Sequence, residues 1–518
     1  MAHLRPLFVA VVVALLMSPS RAGEPVLRET FDGPDALAAW EPLGTGGAAT
    51  VSPDGSLVVT RAGHAAAGGA GGEFVLRRRV DAGALRDHFV YLSARVSATD
   101  VSAPAEAWNG VKVMLHTRGP GGPAWHNPAD LAGTFPARVA GASAAVPGDA
   151  DEAWVVLGLQ DATGTATFDD VTLTAGPKRR ARPAEPRGWA PAPVVHRGVM
   201  SGHGMTRDDV RRLAQDWRVN LIRWQLFMPP GPDGRWDGWR DMPAYDRWLD
   251  AAVREFDAAR PWCAEFGVRV ALDLHTPPGG GIFVGDWPLF TDRRYQDRFL
   301  AIWRELAARY NGDTTVWAFD IANEPIEGAV APDCAGWREL AWRATQAIRA
   351  IDPGRTVIVP FGNGGGWDRI DYFEPLPVGN VVYTVHLYDP GPFTHQGVLP
   401  AYPVGPTYPG TVGDKHWDRA AIRAALQPVV DYQHDYGVPV YVGEFSAVRW
   451  APGAARYLAD ATSIFEELGW DWTYHAYKEW HGWSLDHTDD KDDPAPATQP
   501  TDRMRVMMRA FAGPGVRD

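Results

Sequence analysis

Cysteine is the scarcest residue in this sequence, with only Cys263 and Cys334 among 518 residues. Two cysteines exclude a disulfide-rich scaffold, and neither lies in a CxxC or other metal-ligand pattern. Basic residues are also outnumbered, because 63 Asp and Glu stand against 50 Lys and Arg, which leaves a net charge of −13. A chain of this sign lacks the broad basic surface that nucleic-acid binding requires, so we expect no nucleic-acid partner.

Long apolar runs are rare as well, and the clearest one lies at residues 7–17. His3 and Arg5 precede this run, and the small-residue pattern Ser20-Arg21-Ala22 follows it. This order of features is typical of a secretory signal peptide, which we predict over residues 1–22. A membrane-spanning helix needs about 20 apolar residues, and neither this run nor any later segment reaches that length. We therefore expect a secreted or periplasmic protein without a membrane span.

The next part of the chain, residues 24–175, is rich in Gly, Ala, Val and Thr and contains short alternating runs such as 56–60 and 90–96. Period-two alternation between Gly, Pro and Asp turns predicts an all-β sandwich in this region. Residues 176–193 are rich in Pro and Arg and show no apolar periodicity, which predicts a stiff linker between two domains.

From residue 194 onward, apolar strands alternate with amphipathic helices, for example at 295–310, 337–351 and 419–436. Eight such units predict an α/β fold, a (β/α)8 TIM barrel over residues 194–514 with long loops. An open doubly wound sheet is the alternative, but no glycine-rich phosphate turn follows the first strand. The predicted strands are 196–201, 220–225, 268–275, 316–323, 356–360, 381–388, 438–445 and 470–477.

Polar side chains collect at the carboxyl ends of these strands, which is where barrel proteins place their functional groups. A single Glu or His at a strand end is ordinarily a surface charge or a structural residue, but polar side chains at six strand ends predict a site. Glu324 and Glu444 would face each other across the mouth, and paired carboxylates are what cleavage of a glycosidic bond requires. The strand-end residues are Arg223, Asp273, His275, Asn323, Glu324, His386, Tyr388, Glu444 and His475.

Five short motifs follow one another at the strand ends: Asn220-Leu221-Ile222-Arg223, Asp273-Leu274-His275, Asn323-Glu324-Pro325, His386-Leu387-Tyr388 and Gly443-Glu444-Phe445. This ordered set resembles glycoside hydrolase family 5, the cellulase-like group of its clan, over about residues 195–512. The resemblance implies a retaining mechanism with Glu444 as nucleophile and Glu324 as general acid and base, their carboxyl groups about 5 Å apart.

The same resemblance implies supporting roles for the other strand-end residues. Arg223 would hold Glu444 in its ionised form, since a nearby cation favours the charged carboxylate. Asn323 would hydrogen-bond the sugar 2-hydroxyl, a contact that strengthens in the transition state. His275 and His386 would line the subsite at the scissile bond, and Tyr388 would hydrogen-bond near the nucleophile.

The sequence departs from the family pattern at strand eight, where the family usually carries a Trp that supports the sugar. His475 stands at the expected position, so we predict that Trp480 or Trp483, from the following loop, supplies the aromatic platform. Trp287, in the glycine-rich segment after strand three, is a further candidate for stacking on sugar.

The N-terminal sandwich resembles the jelly-roll carbohydrate-binding modules that accompany such enzymes. The resemblance rests on two segments, Glu29-Thr30-Phe31-Asp32 and Thr167-Phe168-Asp169-Asp170-Val171. Such modules often hold a structural calcium, and Glu29 and Asp169 offer suitable oxygen ligands. We expect no other cofactor. A sandwich that binds no sugar and only packs on the barrel is an equal alternative.

Together these features predict a secreted hydrolase of β-linked glucan, similar to an endo-β-1,4-glucanase, whose partner is a polysaccharide or oligosaccharide and which acts as a monomer. Mannan, xyloglucan, β-1,3-glucan and glycolipid substrates stay open, because barrel loops set specificity. A carbohydrate-binding protein without activity is the alternative from another class. A metal-dependent hydrolase would need a larger His and Asp cluster than Asp273 with His275.

Overall fold

The computed structural model describes residues 25–62, 72–281 and 287–513. The predicted signal peptide at residues 1–22 lies outside these ranges. Within them, the chain forms an N-terminal all-β region followed by a closed parallel barrel, so the predicted fold class is confirmed.

The sandwich consists of two antiparallel sheets. The first has the strand order β3-β4-β11-β6-β9, and β1 also pairs with β11. The second has the strand order β2-β5-β10-β7-β8. Alternate side chains point into the shared core, as Leu57 and Val59 do from β4 and Leu157 from β10. Strict alternation is what a strand with one buried face requires. The strands are β1 Leu27–Glu29, β2 Glu41–Gly44, β3 Gly47–Val51, β4 Leu57–Arg61, β5 Glu73–Val80, β6 His88–Val101, β7 Gly110–Gly119, β8 Gly122–His126, β9 Gly133–Ala145, β10 Glu152–Gln160 and β11 Gly164–Lys178.

The segment predicted as a linker is held against the barrel. Strand β11 runs three residues into it, and the following arginines form ion pairs with barrel carboxylates. Arg179 contacts Asp371 at 2.8 Å, Arg180 contacts Asp435 at 3.1 Å, and Arg182 contacts the same Asp435 at 2.9 Å. The Asp435 side chain is fully buried and Arg180 nearly so, which shields that pair from solvent, whereas Arg179 and Arg182 are more than half exposed.

The barrel closes through eight parallel strands in the order β12-β13-β14-β15-β16-β17-β20-β21. Four of the eight strands, β13, β16, β17 and β20, are buried along their whole length, as expected for strands covered by an outer ring of helices. A short hairpin of β18 and β19 lies in the long connection after β17. The strands are β12 Arg197–Ser201, β13 Leu221–Gln225, β14 Arg269–Asp273, β15 Val316–Asp320, β16 Thr356–Pro360, β17 Val381–Leu387, β18 Gly410–Val412, β19 Lys415–Trp417, β20 Val440–Phe445 and β21 Asp471–Tyr477.

The helices pack their apolar faces on the outside of the barrel. They are α1 Arg207–Arg211, α2 Met242–Phe266, α3 Arg293–Arg309, α4 Trp337–Arg349, α5 Gly391–Thr394, α6 Arg419–Ala425, α7 Gln427–Tyr436, α8 Ala454–Leu468 and α9 Asp502–Ala512. The single helix predicted over 419–436 is wrong, because it is divided at Leu426 into α6 and α7. Pro428 lies in the first turn of α7, where a residue without a backbone N–H is tolerated.

Several predicted strands are too long at their carboxyl ends. Strand β14 ends at Asp273 and β15 at Asp320, so His275, Asn323 and Glu324 lie in the loops that follow. These residues therefore stand at the barrel mouth. In the described part of the chain, no helix is both long and apolar enough to span a bilayer.

Candidate active site

A buried arginine organises the carboxyl end of the barrel. Arg223 in β13 is fully buried and donates to Glu444 Oε1 at 2.7 Å, to Asp320 Oδ2 at 2.8 Å and to Asn323 Oδ1 at 3.0 Å. Its guanidinium also lies 3.2 Å from Asp273 Oδ2. Burial opposes the charge on Arg223, but the surrounding carboxylates outweigh it and raise the pKa of the guanidinium. The fixed fork of donors thereby joins strands β13, β14, β15 and β20.

Glu444, in β20, is the most strongly perturbed carboxyl of the site. Besides Arg223, it accepts a hydrogen bond on Oε2 from the Tyr388 hydroxyl at 2.8 Å. The ring nitrogens of His475 and His386 lie 3.5 and 3.7 Å from the same oxygen. Burial favours the neutral acid, but His386, His475 and Arg223 outweigh burial and hold the pKa of Glu444 far below its ordinary value. Glu444 is therefore ionised at neutral pH.

Glu324 faces Glu444 from the loop after β15. Its Oε1 accepts a hydrogen bond from His386 Nδ1 at 2.7 Å, and its side chain is 27% exposed. Carboxylate oxygens of Glu324 and Glu444 and a nitrogen of His386 all lie within 4.8 Å of one another. The φ angle of Glu324 is +47°, in the left-handed region that residues with a Cβ seldom adopt. A partly exposed carboxyl thus opposes an ionised one across a short gap.

His275 and Asn323 form a second chain of hydrogen bonds beside Arg223. Asp273 Oδ2 lies 2.7 Å from His275 Nδ1, and His275 Nε2 lies 3.2 Å from Asn323 Nδ2. The Asn323 carbonyl is already bound to Arg223, so its amide nitrogen must face His275. The carboxylate therefore fixes the ring, and the ring fixes the Asn323 amide at the mouth.

Strand eight presents a charged pair where the family pattern has a Trp. His475 Nε2 lies 3.0 Å from Glu479 Oε1, and Gln225 donates to Glu479 Oε2 at 2.8 Å. On its other side, His475 Nδ1 makes a short hydrogen bond with the Tyr388 hydroxyl. Burial opposes protonation, but Glu479 and Glu444 outweigh it and raise the pKa of His475 to about 9. His475 is thus a cation beside Glu444 at neutral pH.

The aromatic candidates divide between the mouth and the core. Trp480 is half-buried, with its ring centroid 5.4 Å from that of Trp483, and Trp483 lies 5.4 Å from the His475 ring. Trp483 packs on the His475 ring but is only 7% exposed and belongs to the barrel's hydrophobic core, so Trp480 is the candidate with exposed surface. Trp287 is only 2% exposed and packs in the barrel's hydrophobic core, so the prediction that it stacks on sugar is wrong.

The proposed calcium ligands are bound to arginines. Glu29 forms an ion pair with Arg78 and accepts a hydrogen bond from the backbone N–H of Phe31. Asp169 contacts Arg95 at 2.6 Å. Each of the two predicted calcium ligands thus has an arginine partner in this structure, and calcium binding here stays a prediction.

Arg223, His275, Asn323, Glu324, His386, Tyr388, Glu444 and His475 all meet at one end of the barrel, as their positions at strand ends predicted. Sequence reasoning missed Asp320 and Gln225. Asp320 ends β15 as a fully buried acid, and a charge at the end of an apolar strand was the signal available for it. Gln225 ends β13 and carries no charge, so nothing in the sequence marked it.

A closed parallel barrel with an ionised Glu and a second carboxyl at its mouth defines a glycoside hydrolase. The family model for cellulase, glycosyl hydrolase family 5, matches residues 190–489, which is more than half of the chain. The chain belongs to this family.

Similar proteins carry endoglucanase and related names. Endoglucanase C of Acetivibrio thermocellus is 28% identical over 250 residues, covering 42% of this chain and 71% of that protein. Cellodextrinase A of Ruminococcus flavefaciens is 26% identical over 202 residues, covering 39% and 59%. Among solved structures, endoglucanase Cel5A of Thermotoga maritima is 20% identical, with a TM-score of 0.46 over 61% of this chain and 96% of that one.

Proposed function

We propose that this hydrolase cleaves β-linked glucan with retention of configuration, by double displacement at Glu444 and Glu324. The observation that carries the proposal is the ionised Glu444 with an oxygen of Glu324 inside a 4.8 Å group. Retaining enzymes hold their carboxyl groups about 5 Å apart, whereas inverting enzymes leave roughly 6.5–9.5 Å for a water molecule. The short gap supports direct attack by Glu444.

In the first step, a carboxylate oxygen of Glu444 bonds to the anomeric carbon while the glycosidic bond breaks. Glu324 gives its proton to the departing oxygen, so the leaving sugar departs as an alcohol. In the second step, Glu324 takes a proton from water, the water oxygen bonds to the anomeric carbon, and Glu444 leaves. Arg223 and Tyr388 donate to the two oxygens of Glu444 and orient it for both steps.

Three other groups support the reaction. Asn323 presents its amide at the mouth, where it would meet the sugar 2-hydroxyl. His386 donates to Glu324 and would orient it toward the leaving oxygen. Trp480 would supply an apolar face for the sugar.

The names endoglucanase and cellodextrinase among similar proteins support a β-1,4-glucan as substrate. A polymer of this kind cannot cross a membrane unaided, which agrees with export directed by the signal-like residues 1–22. We propose that the protein acts outside the cytoplasm.

The test is release of reducing sugar from barley β-glucan, carboxymethyl cellulose, mannan and laminarin. Wild type is compared with Glu324→Gln, Glu444→Gln and, as a matched control, Glu265→Gln, which alters only an exposed pair with Arg207. We expect the wild type to release reducing sugar from a β-1,4-linked glucan. Both active-site variants should lose this activity, and the control variant should keep it. Proton NMR of the first product should show the β-anomer. Release that survives both active-site substitutions, or an α-anomer, would overturn the proposal.

A further inference from the structure

Glu327, three residues after Glu324, is a carboxylate buried where the sandwich meets the barrel. It is 5% exposed and lies in the connection between β15 and α4. Its Oε1 accepts the backbone N–H of Trp337, at the start of α4, at 2.7 Å. Its Oε2 accepts a hydrogen bond from Arg369 at 3.0 Å. A buried carboxylate bound by a guanidinium and a helix N-terminus is held in one position.

The sandwich supplies the other half of this arrangement. Ser143 in β9 donates its hydroxyl to the backbone carbonyl of Glu327 at 2.7 Å. The Tyr91 hydroxyl, from β6, lies beside the Glu327 carboxylate, and burial together with that carboxylate raises the pKa of Tyr91. Arg369 also donates to the Glu327 carbonyl, at 2.9 Å, and to Ser143 Oγ, at 3.2 Å. Its guanidinium lies over the Phe89 ring at 4.5 Å.

Strand geometry explains why these sandwich residues act together. Tyr91 and Ser143 are direct cross-strand partners on β6 and β9, so their side chains leave the sheet on the same face. Phe89 precedes Tyr91 by two residues and shares that face, whereas Val90 and Leu92 point into the sandwich core. The outer face of this sheet is therefore directed at the loop that carries Glu324.

The loop depends on such contacts. Glu324 has a left-handed backbone, and unfavourable conformations of this kind persist only where the surroundings fix them. The packing at Glu327 is also close, because a Cβ on Gly336 would lie 2.6 Å from Glu327 Oε1 and 3.2 Å from the Tyr91 hydroxyl oxygen. Gly336 thus allows Tyr91 and Glu327 to approach each other.

We propose that the sandwich is a working part of the catalytic unit. Tyr91 and Ser143 are positioning residues that act through Glu327 to hold Glu324 in reach of the departing oxygen. The proposal rests on the function proposed above, because it assigns proton transfer to Glu324. It differs from the alternative of a separate sugar-binding module, in which these contacts would not influence bond cleavage.

Aryl β-cellobiosides with different leaving groups test this role. A 2,4-dinitrophenolate departs without a proton, whereas a phenolate needs one. Defective acid catalysis therefore strongly slows cleavage of the phenyl cellobioside only. The variants are Tyr91→Phe with Ser143→Ala, and Glu324→Gln as reference. Ser102→Ala is the matched control, since Ser102 makes one comparable hydrogen bond, to Thr163, within the sandwich.

We expect the double variant to lose about tenfold or more in kcat/KM on the phenyl substrate and little in kcat/KM on the dinitrophenyl substrate, because small displacements of a catalytic group are costly. The ratio kcat/KM is compared because it reports only the first step, whereas kcat also contains the second step, in which Glu324 is the base. Equal losses on both substrates, or none, would overturn the proposal while leaving the function intact. If Glu324→Gln itself shows no dependence on the leaving group, the assignment of Glu324 is wrong and this proposal with it. Each substitution removes one hydroxyl, and thermal melts establish folding. Should the double variant unfold, the two single variants must show the same selectivity.

Discussion

Replacing Glu479 by Gln should lower the pKa of His475 and with it the contribution that this histidine makes to stability near neutral pH. The pKa of His475 is raised from 6.5 to about 9 by Glu479 and Glu444, against the effect of burial. A rise of this size corresponds to about 3 kcal/mol of folding free energy. Because the folded-state pKa lies above the unfolded one, this contribution is complete below pH 6.5, falls with rising pH, and is lost above about 9.

Glu479 is the larger of the two favourable contributors, so we expect Glu479→Gln to remove about 2 kcal/mol of unfolding free energy at pH 6 and almost none at pH 10. Gln keeps the size of the side chain and an oxygen that can accept from His475 Nε2, but its amide nitrogen then faces the Gln225 amide, so the difference between pH 6 and pH 10 is what reports the effect of charge. Urea unfolding at both pH values measures the difference, because urea does not screen ion pairs as a salt would.

Glu265→Gln is the control for this experiment, since its partner Arg207 does not titrate between pH 6 and pH 10 and the effect of the substitution should not change. Titration of the His475 ring by NMR gives an independent reading, with a midpoint near 9 in the wild type and a lower one in Glu479→Gln. A difference between wild type and variant that is equal at pH 6 and pH 10 would refute the reasoning.

Three further outcomes follow from the site. Arg223→Lys should lower kcat by about 10²-fold, because Lys lacks the fork that aligns Glu444, and steady-state kinetics on β-glucan measures it. Tyr388→Phe should lower kcat/KM about tenfold to a hundredfold, the size of one hydrogen bond to a charged group, and unchanged kinetics would contradict that role. Trp287→Ala should lower the unfolding free energy by about 3–5 kcal/mol through a cavity, and a raised KM with unchanged stability would instead favour sugar contact.

Periodicity and strand-end polarity were sufficient to predict the barrel and the residues that line its mouth. Both are local properties, because a side chain at the carboxyl end of a parallel strand has only one edge of the barrel to occupy. Glu324, Glu444 and Arg223 converge for that reason. The departure at strand eight was also visible, since His475 stands where an aromatic residue was expected.

The partners of these residues were beyond the reach of sequence reasoning. Gln225 and Glu479 are 254 residues apart, and no pattern along the chain shows that they hydrogen-bond. The prediction for Trp287 failed because a glycine-rich segment indicates an exposed loop but does not show which side chains pack into the core. Glu29 and Asp169 have the residue type of calcium ligands, and no pattern along the chain shows that arginines on other strands pair with them.

The arginines after β11 restrict how the two domains can move relative to each other. A module on a free tether sweeps a volume around its enzyme and raises the local concentration of polymer chains there. Here Arg180 and Arg182 fasten the connecting segment to Asp435, and Ser143 joins the sandwich to the loop of Glu324. A sandwich fastened at both places cannot swing out to an adjacent chain. The two domains would therefore move as one body.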